Sequence, residues 1–294
     1  MKSIVLGSFR APERVELDTI PTTVSLDATL DEVERQLGKV RKKLAKKQDK
    51  MYAHDRYSVL LLLQGMDSAG KDSLIREVFK DINARGVQVA SFKTPTKREW
   101  QHDFLWRHVR ELPEKGKIGV WNRSHYENVL VTRVNPSYLE SELLPGIEGE
   151  EPRLPADFWD NRMRSINDFE RHITSNGTIV IKIFLHISKE EQRLRLLRRL
   201  EKEKHQWKFS VGDLAVREQW DAYQNCYTDL LNKTNTDHAP WYIVPADSKE
   251  NARYVVAEIL RQTLDGYTDI AYPELDEEVK DNIKKYKDQL QAEV

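Results

Sequence analysis

The stretch SVLLLLQGMDSAGKDS, residues 58–73, decides the fold because it joins an apolar strand to a phosphate-binding loop. Gly65, Gly70 and Lys71 follow the apolar run with the spacing G-x-x-x-x-G-K, and residues 74–82 then predict a helix. Small residues let several backbone N–H groups face one anion, the helix adds its positive end, and the lysine adds a mobile charge. An ordinary strand–turn–helix corner is the alternative interpretation.

Two carboxylates make this loop unusual. Asp72 stands after Lys71, where such loops carry the Ser or Thr that meets magnesium, and Asp67 lies inside the loop. Because a carboxylate repels phosphate unless a cation lies between them, we expect Mg²⁺ here, held by Asp67 or Asp72 directly or through water. Asp72 is equally well explained as a favourable charge at the helix N-terminus. The loop residues expected to hold phosphate are Gly65, Ala69, Gly70, Lys71, Asp72 and Ser73.

Length and composition restrict the class of protein. The 294 residues predict one α/β domain with extensions rather than two domains. No apolar run approaches the ~20 residues of a membrane span, and the apolar stretch near the N-terminus is too short for a secretory signal. The single cysteine, Cys226, cannot form a disulfide within the chain and is better explained as a small buried residue than as a nucleophile. We therefore expect a cytoplasmic protein without a membrane partner.

Charge is unevenly distributed although the net charge is -1. Residues 85–133 hold ten Lys or Arg against five Asp or Glu, and residues 189–208 hold eight against four. From residue 265 onward nine acidic residues face four basic ones. The net charge predicts no nucleic-acid partner, whereas the local pattern permits a polyanion in a defined groove.

Strands and helices are predicted to alternate along the chain. Apolar runs predict five strands, at residues 59–64, 87–92, 118–121, 179–187 and 241–245. Helical periodicity lies at 98–110, 158–174, 189–203, 211–233 and 251–263, and a helix capped by Thr29 and Glu32 reaches about residue 50. This alternation predicts a three-layer α/β/α sandwich around a central parallel five-stranded sheet, with ligands beyond the carboxyl ends of the strands. Residues 1–27 are expected to lie over the surface as an extension, 28–270 to form the domain, and 271–294 to form an acidic tail.

Polar and charged residues follow the third predicted strand. Asn122 stands where many P-loop enzymes carry a magnesium-positioning aspartate, and the carboxylate of Glu127 comes later. Arg123 and Arg133 have the forked guanidinium that meets two phosphate oxygens together. His125 suggests phosphohistidine chemistry, but no activating partner is visible, so we interpret it as a structural or hydrogen-bonding residue.

The basic segment 189–212 predicts a helical lid. Kinases need a mobile cover whose arginines stabilise charge on the transferring phosphoryl group while water is excluded. Arg195 and Arg199 lie one helical turn apart, and Lys208 follows them. A solvated helix face is the alternative interpretation. Lys93, after the second strand, is a further cation expected near the same crevice.

With these segments assembled, the chain closely resembles the polyphosphate kinase 2 family. The similarity spans residues 50–250 in the expected order and is far more specific than a phosphate loop alone. The matching segments are GMDSAGKDS (65–73), FKTPT (92–96), FLWR (104–107), NRSHYENVLVTRV (122–134), FLHISKEEQ (184–192), WKFS (207–210), DLAVREQWDAY (213–223) and APWYIVPA (239–246).

The resemblance implies a thymidylate-kinase-like P-loop fold with a helical lid. It also implies reversible phosphoryl transfer between inorganic polyphosphate and a nucleotide, with Mg²⁺ or Mn²⁺, in a homodimer or homotetramer. Asn122 and Glu127 resemble the class III subgroup, whose members phosphorylate both AMP and ADP, giving ADP and ATP.

The resemblance also implies a role for each site residue. Polyphosphate is expected to contact Lys71, Lys93, Arg123, Arg133, Arg195, Arg199 and Lys208. The nucleotide is expected to contact Asp67, Asn122, Arg123 and Glu127, and the metal to contact Asp67, Asp72 and Glu127. The residues expected to be catalytic are Asp67, Lys71, Arg123 and Arg199.

Three other functions fit parts of the sequence. An ATP-dependent kinase of a nucleoside or small metabolite would need an adenine pocket on the donor side. A P-loop nucleic-acid-binding NTPase would need exposed aromatic side chains interleaved with a basic groove. A catalytically silent interaction protein is disfavoured by the many charged residues at strand ends.

Overall fold

A five-stranded parallel sheet forms the centre of the molecule. The structure, a computed structural model, describes residues 1–2, 4–147, 149, 153–207 and 209–293. The strand order is β2-β3-β1-β4-β5, and every neighbouring pair is parallel. The strands are β1 (Ser58–Gln64), β2 (Val87–Ser91), β3 (Ile118–Asn122), β4 (Thr178–His186) and β5 (Trp241–Pro245). All five predicted strands are confirmed to within one residue at each end.

Burial on both faces explains why these strands were visible as apolar runs. Every residue of β1 is buried, and β4 and β5 are buried almost throughout. The edge strand β2 differs, since Val89 is 51% exposed. Strands covered by helices on two sides carry continuous rather than alternating apolar residues.

Helices cover the sheet in two layers, as the sandwich prediction requires. In one layer α1 packs against α11, which also contacts α2; in the other, α5, α6 and α10 pack together. The helices are α1 (Leu30–His54), α2 (Lys71–Val78), α3 (Lys97–Trp100), α4 (Trp106–Val109), α5 (Glu127–Val134), α6 (Phe158–Ser175), α7 (Lys189–Glu201), α8 (Glu203–Gln206), α9 (Val211–Glu218), α10 (Trp220–Thr234), α11 (Lys249–Asp265) and α12 (Glu277–Gln291). No helix in the described part of the chain is long and apolar enough to cross a membrane.

Two predicted helices are broken in the structure. The segment 98–110 forms α3 and α4, because the Asp103 carboxylate accepts a hydrogen bond from the Leu105 N–H at 2.9 Å and turns the chain between them. The segment 211–233 divides into α9 and α10 at Gln219, whose backbone leaves the helical region. Helix α1 runs four residues beyond residue 50 and ends where Asp55 adopts a left-handed conformation with φ 52°.

The N-terminal segment is more deeply packed than its lack of periodicity suggested. Arg10 pairs with Tyr242 of β5, and the Ala11 N–H donates to the Trp241 carbonyl at 2.8 Å. The expectation that residues 1–27 lie over the surface is therefore incomplete, because five of their side chains enter the core. They are Ile4, Ala11, Val15, Leu17 and Leu26.

Strand β1 positions the candidate site. It lies at the centre of the sheet between β3 and β4, so the loops that leave these three strands meet at one edge. In parallel sheets that edge is where ligands bind.

Candidate active site

The phosphate loop comprises residues 65–71, and its first residue must be glycine because the backbone there passes close to β4. Gly65 has φ +147°, and a Cβ there would lie 2.7 Å from the Leu185 carbonyl oxygen. Gly70 has φ +110° and precedes the first residue of α2. Both glycines therefore serve backbone conformations that other residues adopt only under strain.

Lys71 lies beneath the loop rather than in solvent. Its Nζ donates to the Gly65 carbonyl at 2.7 Å and to the Met66 carbonyl at 3.3 Å. Burial lowers the pKa of Lys71, and the nearby Arg123 charge lowers it further, while Asp67 and Glu127 oppose the shift. The lysine thus lies within electrostatic range of the charged groups that follow β3.

Three charged side chains, which we call the crevice cluster, lie next to the loop: Asp67, Arg123 and Glu127. The Arg123 guanidinium donates to Asp67 at 2.6 Å and to Glu127 at 3.1 Å. The side chain of Arg123 is 40% exposed, against 19% for Asp67 and 20% for Glu127. Glu127 above all, aided by Asp67 against the cost of burial, raises the pKa of Arg123, so the guanidinium stays charged. The structure therefore brings the catalytic candidates Asp67, Lys71 and Arg123 to one crevice.

Neighbouring amides support this cluster. Asn122 donates to the Asp72 carboxylate at 2.6 Å, which joins the end of β3 to the start of α2. With its amide oriented to satisfy both neighbours, Gln64 donates to Glu127 at 3.0 Å and accepts from the Ser124 hydroxyl at 3.0 Å. Ser73, one of the predicted phosphate residues, donates its hydroxyl to the Gly70 carbonyl at 2.9 Å.

The donor set at the loop suits a hard divalent cation. Within the described ranges, no three or more His, Cys, Asp or Glu side chains are grouped so that they could hold a metal ion. Mg²⁺ does not require such a group, because it is commonly held by one or two carboxylates together with substrate phosphates and water. Asp67, Asp72, Glu127 and the Asn122 amide are oxygen donors of the kind that Mg²⁺ prefers. The residues therefore fit the metal that the sequence predicts.

Arg195 does not have the surroundings expected of a phosphate ligand. Its side chain is 3% exposed, and its guanidinium donates to the Ser68 and Ala69 carbonyls and to the Ala246 and Asp247 carbonyls. Its Nε donates to Glu191 at 2.8 Å. Arg195 thus fastens the loop to the segment after β5.

Arg199 lies closer to the position expected of a lid residue. It forms an ion pair with Asp213 of α9 at 3.0 Å. Burial raises the pKa of Asp213, and the Asp67 charge raises it further, while Arg199 and Arg123 oppose the shift. Asp213 therefore lies within electrostatic range of the crevice cluster. The predicted phosphate ligand Lys208 lies outside the described residues.

Two further predicted polyphosphate ligands lie away from this cluster. Arg133 of α5 forms an ion pair with Asp229 of α10 at 2.5 Å, and Asp229 also pairs with Lys233. Lys93 follows the edge strand β2 and is exposed, and its carbonyl accepts from Arg107 at 2.9 Å. In the described part of the chain, the contacts of these two residues do not include the phosphate loop.

Sequence reasoning missed a second charged group, which we call the buried cluster: His125, Tyr126, Glu170 and Lys182. All four side chains are fully buried. Glu170 accepts from Tyr126 at 2.8 Å and from Lys182 at 2.7 Å, and its carboxylate lies 3.2 Å from the His125 ring. His125 makes the hydrogen bond expected of a structural residue, and its role stays a prediction. Lys182, a lone charge within the apolar run IVIKIFLH, was the signal that could have revealed the cluster.

Comparisons with known proteins agree with one another. The chain matches the sequence profile described as polyphosphate kinase 2 (PPK2) over residues 27–149 and 150–271. It is 45% identical over 263 residues to an ADP-polyphosphate phosphotransferase of Rhodopseudomonas palustris, covering 89% of each chain. It is 42% identical over 238 residues to an AMP/ADP-polyphosphate phosphotransferase of Meiothermus ruber, covering 81% of this chain and 83% of that relative.

A solved structure extends the match to three dimensions. The crystal structure of polyphosphate kinase 2 from Arthrobacter aurescens TC1 is similar with a TM-score of 0.85 at 33% sequence identity. The match covers 96% of this chain and 95% of that chain. The similarity therefore includes the sheet, the loop and the helices that carry the candidate site.

Proposed function

The chain belongs to the polyphosphate kinase 2 family, and from this membership we propose that it transfers phosphoryl groups reversibly between inorganic polyphosphate and AMP or ADP. The observation that carries the proposal is the convergence of Lys71 and Arg123 on a glycine loop flanked by the carboxylates Asp67 and Glu127. Phosphoryl transfer needs this combination, because it depends on positioning and on charge stabilisation rather than on a protein nucleophile.

In the proposed reaction, the end of the polyphosphate chain lies against the phosphate loop. The loop N–H groups and Lys71 neutralise its terminal oxygens, and Arg123 binds phosphate after exchanging one of its carboxylate partners. Arg199 would act from the lid, which we place at about residues 189–212 of a single domain. Lys93, Arg133 and Arg195 are less suited to contact the transferring group because of the positions described above.

The acceptor nucleotide is proposed to lie on the carboxylate side of the crevice. Asp67 would orient its terminal phosphate, with Asn122 and Glu127 beside it. When bound, Mg²⁺ would neutralise phosphate oxygens and bring the two anions together, held by Asp67 and Asp72 or Glu127. The names of the relatives favour acceptance of ADP, and one of them includes AMP, so we propose that both are used.

The proposal extends to the setting of the enzyme. We place it in the cytoplasm, because its only cysteine, Cys226, is free and buried. We also propose assembly as a homodimer or homotetramer, and action without a nucleic-acid or membrane partner.

One assay tests the function. Purified protein is mixed with polyphosphate, Mg²⁺ and either AMP or ADP, without ATP, and the nucleotide products are followed by chromatography. Polyphosphate-dependent ADP and ATP are expected. A reaction without polyphosphate is the control, because contaminating adenylate kinase also makes ATP from ADP.

Each outcome distinguishes two readings. Product from neither acceptor would refute the polyphosphate-dependent function and favour an ATP-dependent kinase, which the same assay detects when ATP and a nucleoside replace the substrates. Product from ADP alone would confine the enzyme to one acceptor.

A further inference from the structure

Side chains hold every carbonyl along one side of the phosphate loop. Lys71 donates to the carbonyls of residues 65 and 66, and Arg195 to those of residues 68 and 69. The carbonyl between them, that of Asp67, accepts from the Gln192 amide at 3.0 Å. Five consecutive carbonyls are thus engaged with side chains. An anion-binding loop requires its N–H groups to face the ligand, and fixed carbonyls on its other side maintain that shape.

Gln192 and Arg195 both contact the loop, but their second contacts lie in different parts of the molecule. Arg195 reaches the Ala246 and Asp247 carbonyls, beyond β5 in the body of the domain. Gln192 is fully buried, and its amide oxygen accepts from Arg217 of α9 at 2.9 Å. Arg195 therefore links the loop to the segment after β5, and Gln192 links it to α9.

Helix α9 has little apolar packing. Within the described residues, none of its side chains is fully buried: Val211 and Leu214 are 79% and 46% exposed, and Val216 is half-buried against the core. Polar contacts fasten it to α7 at two points: Asp213 with Arg199, and Arg217 with Gln192 and the Lys189 carbonyl at 2.6 Å. An element held by surface polar contacts opens at a lower free energy than one held by a buried apolar face.

We propose that Gln192 is a positioning residue that transmits the seating of α9, through Arg217, to the peptide of Asp67. When Arg217 is seated, it fixes the Gln192 amide, whose N–H₂ group then fixes the Asp67 carbonyl. The Asp67 carboxylate, on the same residue, is thereby aimed at Arg123, its partner in the crevice cluster. The seating of α9 and the alignment of the loop become one event. The inference deepens the proposed function, on which its kinetic part rests.

The matched control variant lies on α7, the helix that carries Gln192. Arg193 of α7 is exposed and pairs with Glu190 on the surface, so Arg193→Gln removes an arginine without touching the loop. Arg217→Gln removes the α9 end of the link while leaving buried Gln192 in place. Gln192→Leu keeps most of the side-chain volume and removes both of its hydrogen bonds.

Hydrogen–deuterium exchange tests the link whatever the substrate proves to be. In Arg217→Gln the peptide covering residues 65–73 should exchange about fivefold faster than in the wild type, since a loop hydrogen bond loses its support. Arg193→Gln should match the wild type. Unchanged exchange at 65–73 in Arg217→Gln would overturn the inference without bearing on the reaction catalysed.

Kinetics then test positioning against simple binding. Gln192→Leu and Arg217→Gln should each lower kcat about tenfold, and the double variant should be no slower than Gln192→Leu alone. Multiplied effects in the double variant would overturn the link, as would an unchanged kcat with a raised KM for polyphosphate. If Gln192→Leu fails to fold, the kinetics of Arg217→Gln alone test the link. A wild-type kcat in Arg217→Gln would then overturn the inference. Inactivity of both the wild type and Arg193→Gln would instead refute the proposed function.

Discussion

The segment 122–128 turns one set of charges towards the crevice and another into the core. Arg123 and Glu127 face Asp67 and remain partly exposed, whereas His125 and Tyr126 face Glu170 and are fully buried. Both clusters pair carboxylates with cations over similar distances. They differ in access to water.

This difference separates a structural charge from a functional one. The Lys182 ammonium donates to Glu170, to Tyr126 and to the Thr234 carbonyl, so all three of its protons are used. Burial alone would raise the pKa of Glu170, but Lys182 and the His125 hydrogen bond hold it below its ordinary value. The ammonium of this cluster therefore has no proton left to donate to a ligand. In the crevice, partly exposed carboxylates can exchange Arg123 with an incoming phosphate, because water reaches both partners.

Exchanging one carboxylate in each cluster should lower stability by very different amounts. Glu170→Gln leaves the Lys182 charge buried without its counter-ion, so the free energy of unfolding should fall by about 3–5 kcal/mol, measured by urea denaturation. Glu127→Gln should cost less than about 1 kcal/mol, because its ion pair is partly exposed. Equal free energies of unfolding for Glu170→Gln and Glu127→Gln would contradict this difference between the two clusters.

Removing the loop lysine should give the largest effect on turnover. Lys71→Ala should lower kcat about 100- to 1000-fold, because the charge that stabilises the transferring phosphoryl group is lost. Lys80→Ala, at an exposed position beyond α2, is the control and should retain wild-type kcat. Unchanged turnover in Lys71→Ala would remove this lysine from the mechanism.

The fold and the loop could be read from the sequence because both depend on local order. Strands buried on two faces must be continuous apolar runs, and the positive-φ glycines Gly65 and Gly70 occur at a fixed spacing. The direction in which a side chain points could not be predicted from the sequence. Spacing placed Arg195 and Arg199 on one side of a helix, but only packing shows that Arg195 ends on loop carbonyls. The partner of Lys182 likewise depends on how α6 packs against β4.

Arg123 and Arg133, which both follow β3, test with a smaller expected effect whether contacts rather than spacing identify a phosphate ligand. Arg123 donates to two carboxylates from separate nitrogens, and a lysine cannot reproduce this fork. Arg123→Lys should therefore lower kcat/KM for polyphosphate about tenfold, a loss of roughly one charge-assisted hydrogen bond. Arg133→Lys should stay within about twofold, since the ion pair with Asp229 persists as a simple charge contact. Equal losses in steady-state kinetics would restore Arg133 as a polyphosphate ligand.

The smallest effect should come from acid, through two buried histidines of the core. Burial lowers the pKa of His108 well below 6.5, helped by the neighbouring His125 and Arg107 charges, and burial also lowers the pKa of His125. A histidine with a depressed pKa in the folded state stabilises the fold fully above its unfolded pKa of 6.5. That contribution is lost as the pH falls from 6.5 towards the folded pKa, because the unfolded chain binds the proton more readily.

The free energy of unfolding should therefore fall on the order of 1 kcal/mol between about pH 7.5 and pH 5.5. His108→Gln should flatten this slope, because Nε2 of His108 has no hydrogen-bond partner among the described residues and its protonation would bury an unpaired charge. His172→Gln, at an exposed position on α6, is the control and should keep the wild-type slope. If the free energy of unfolding of His108→Gln still falls with pH as in the wild type, the acid sensitivity belongs to other groups. That result would also weaken the view that core charges, unlike crevice charges, cannot exchange partners.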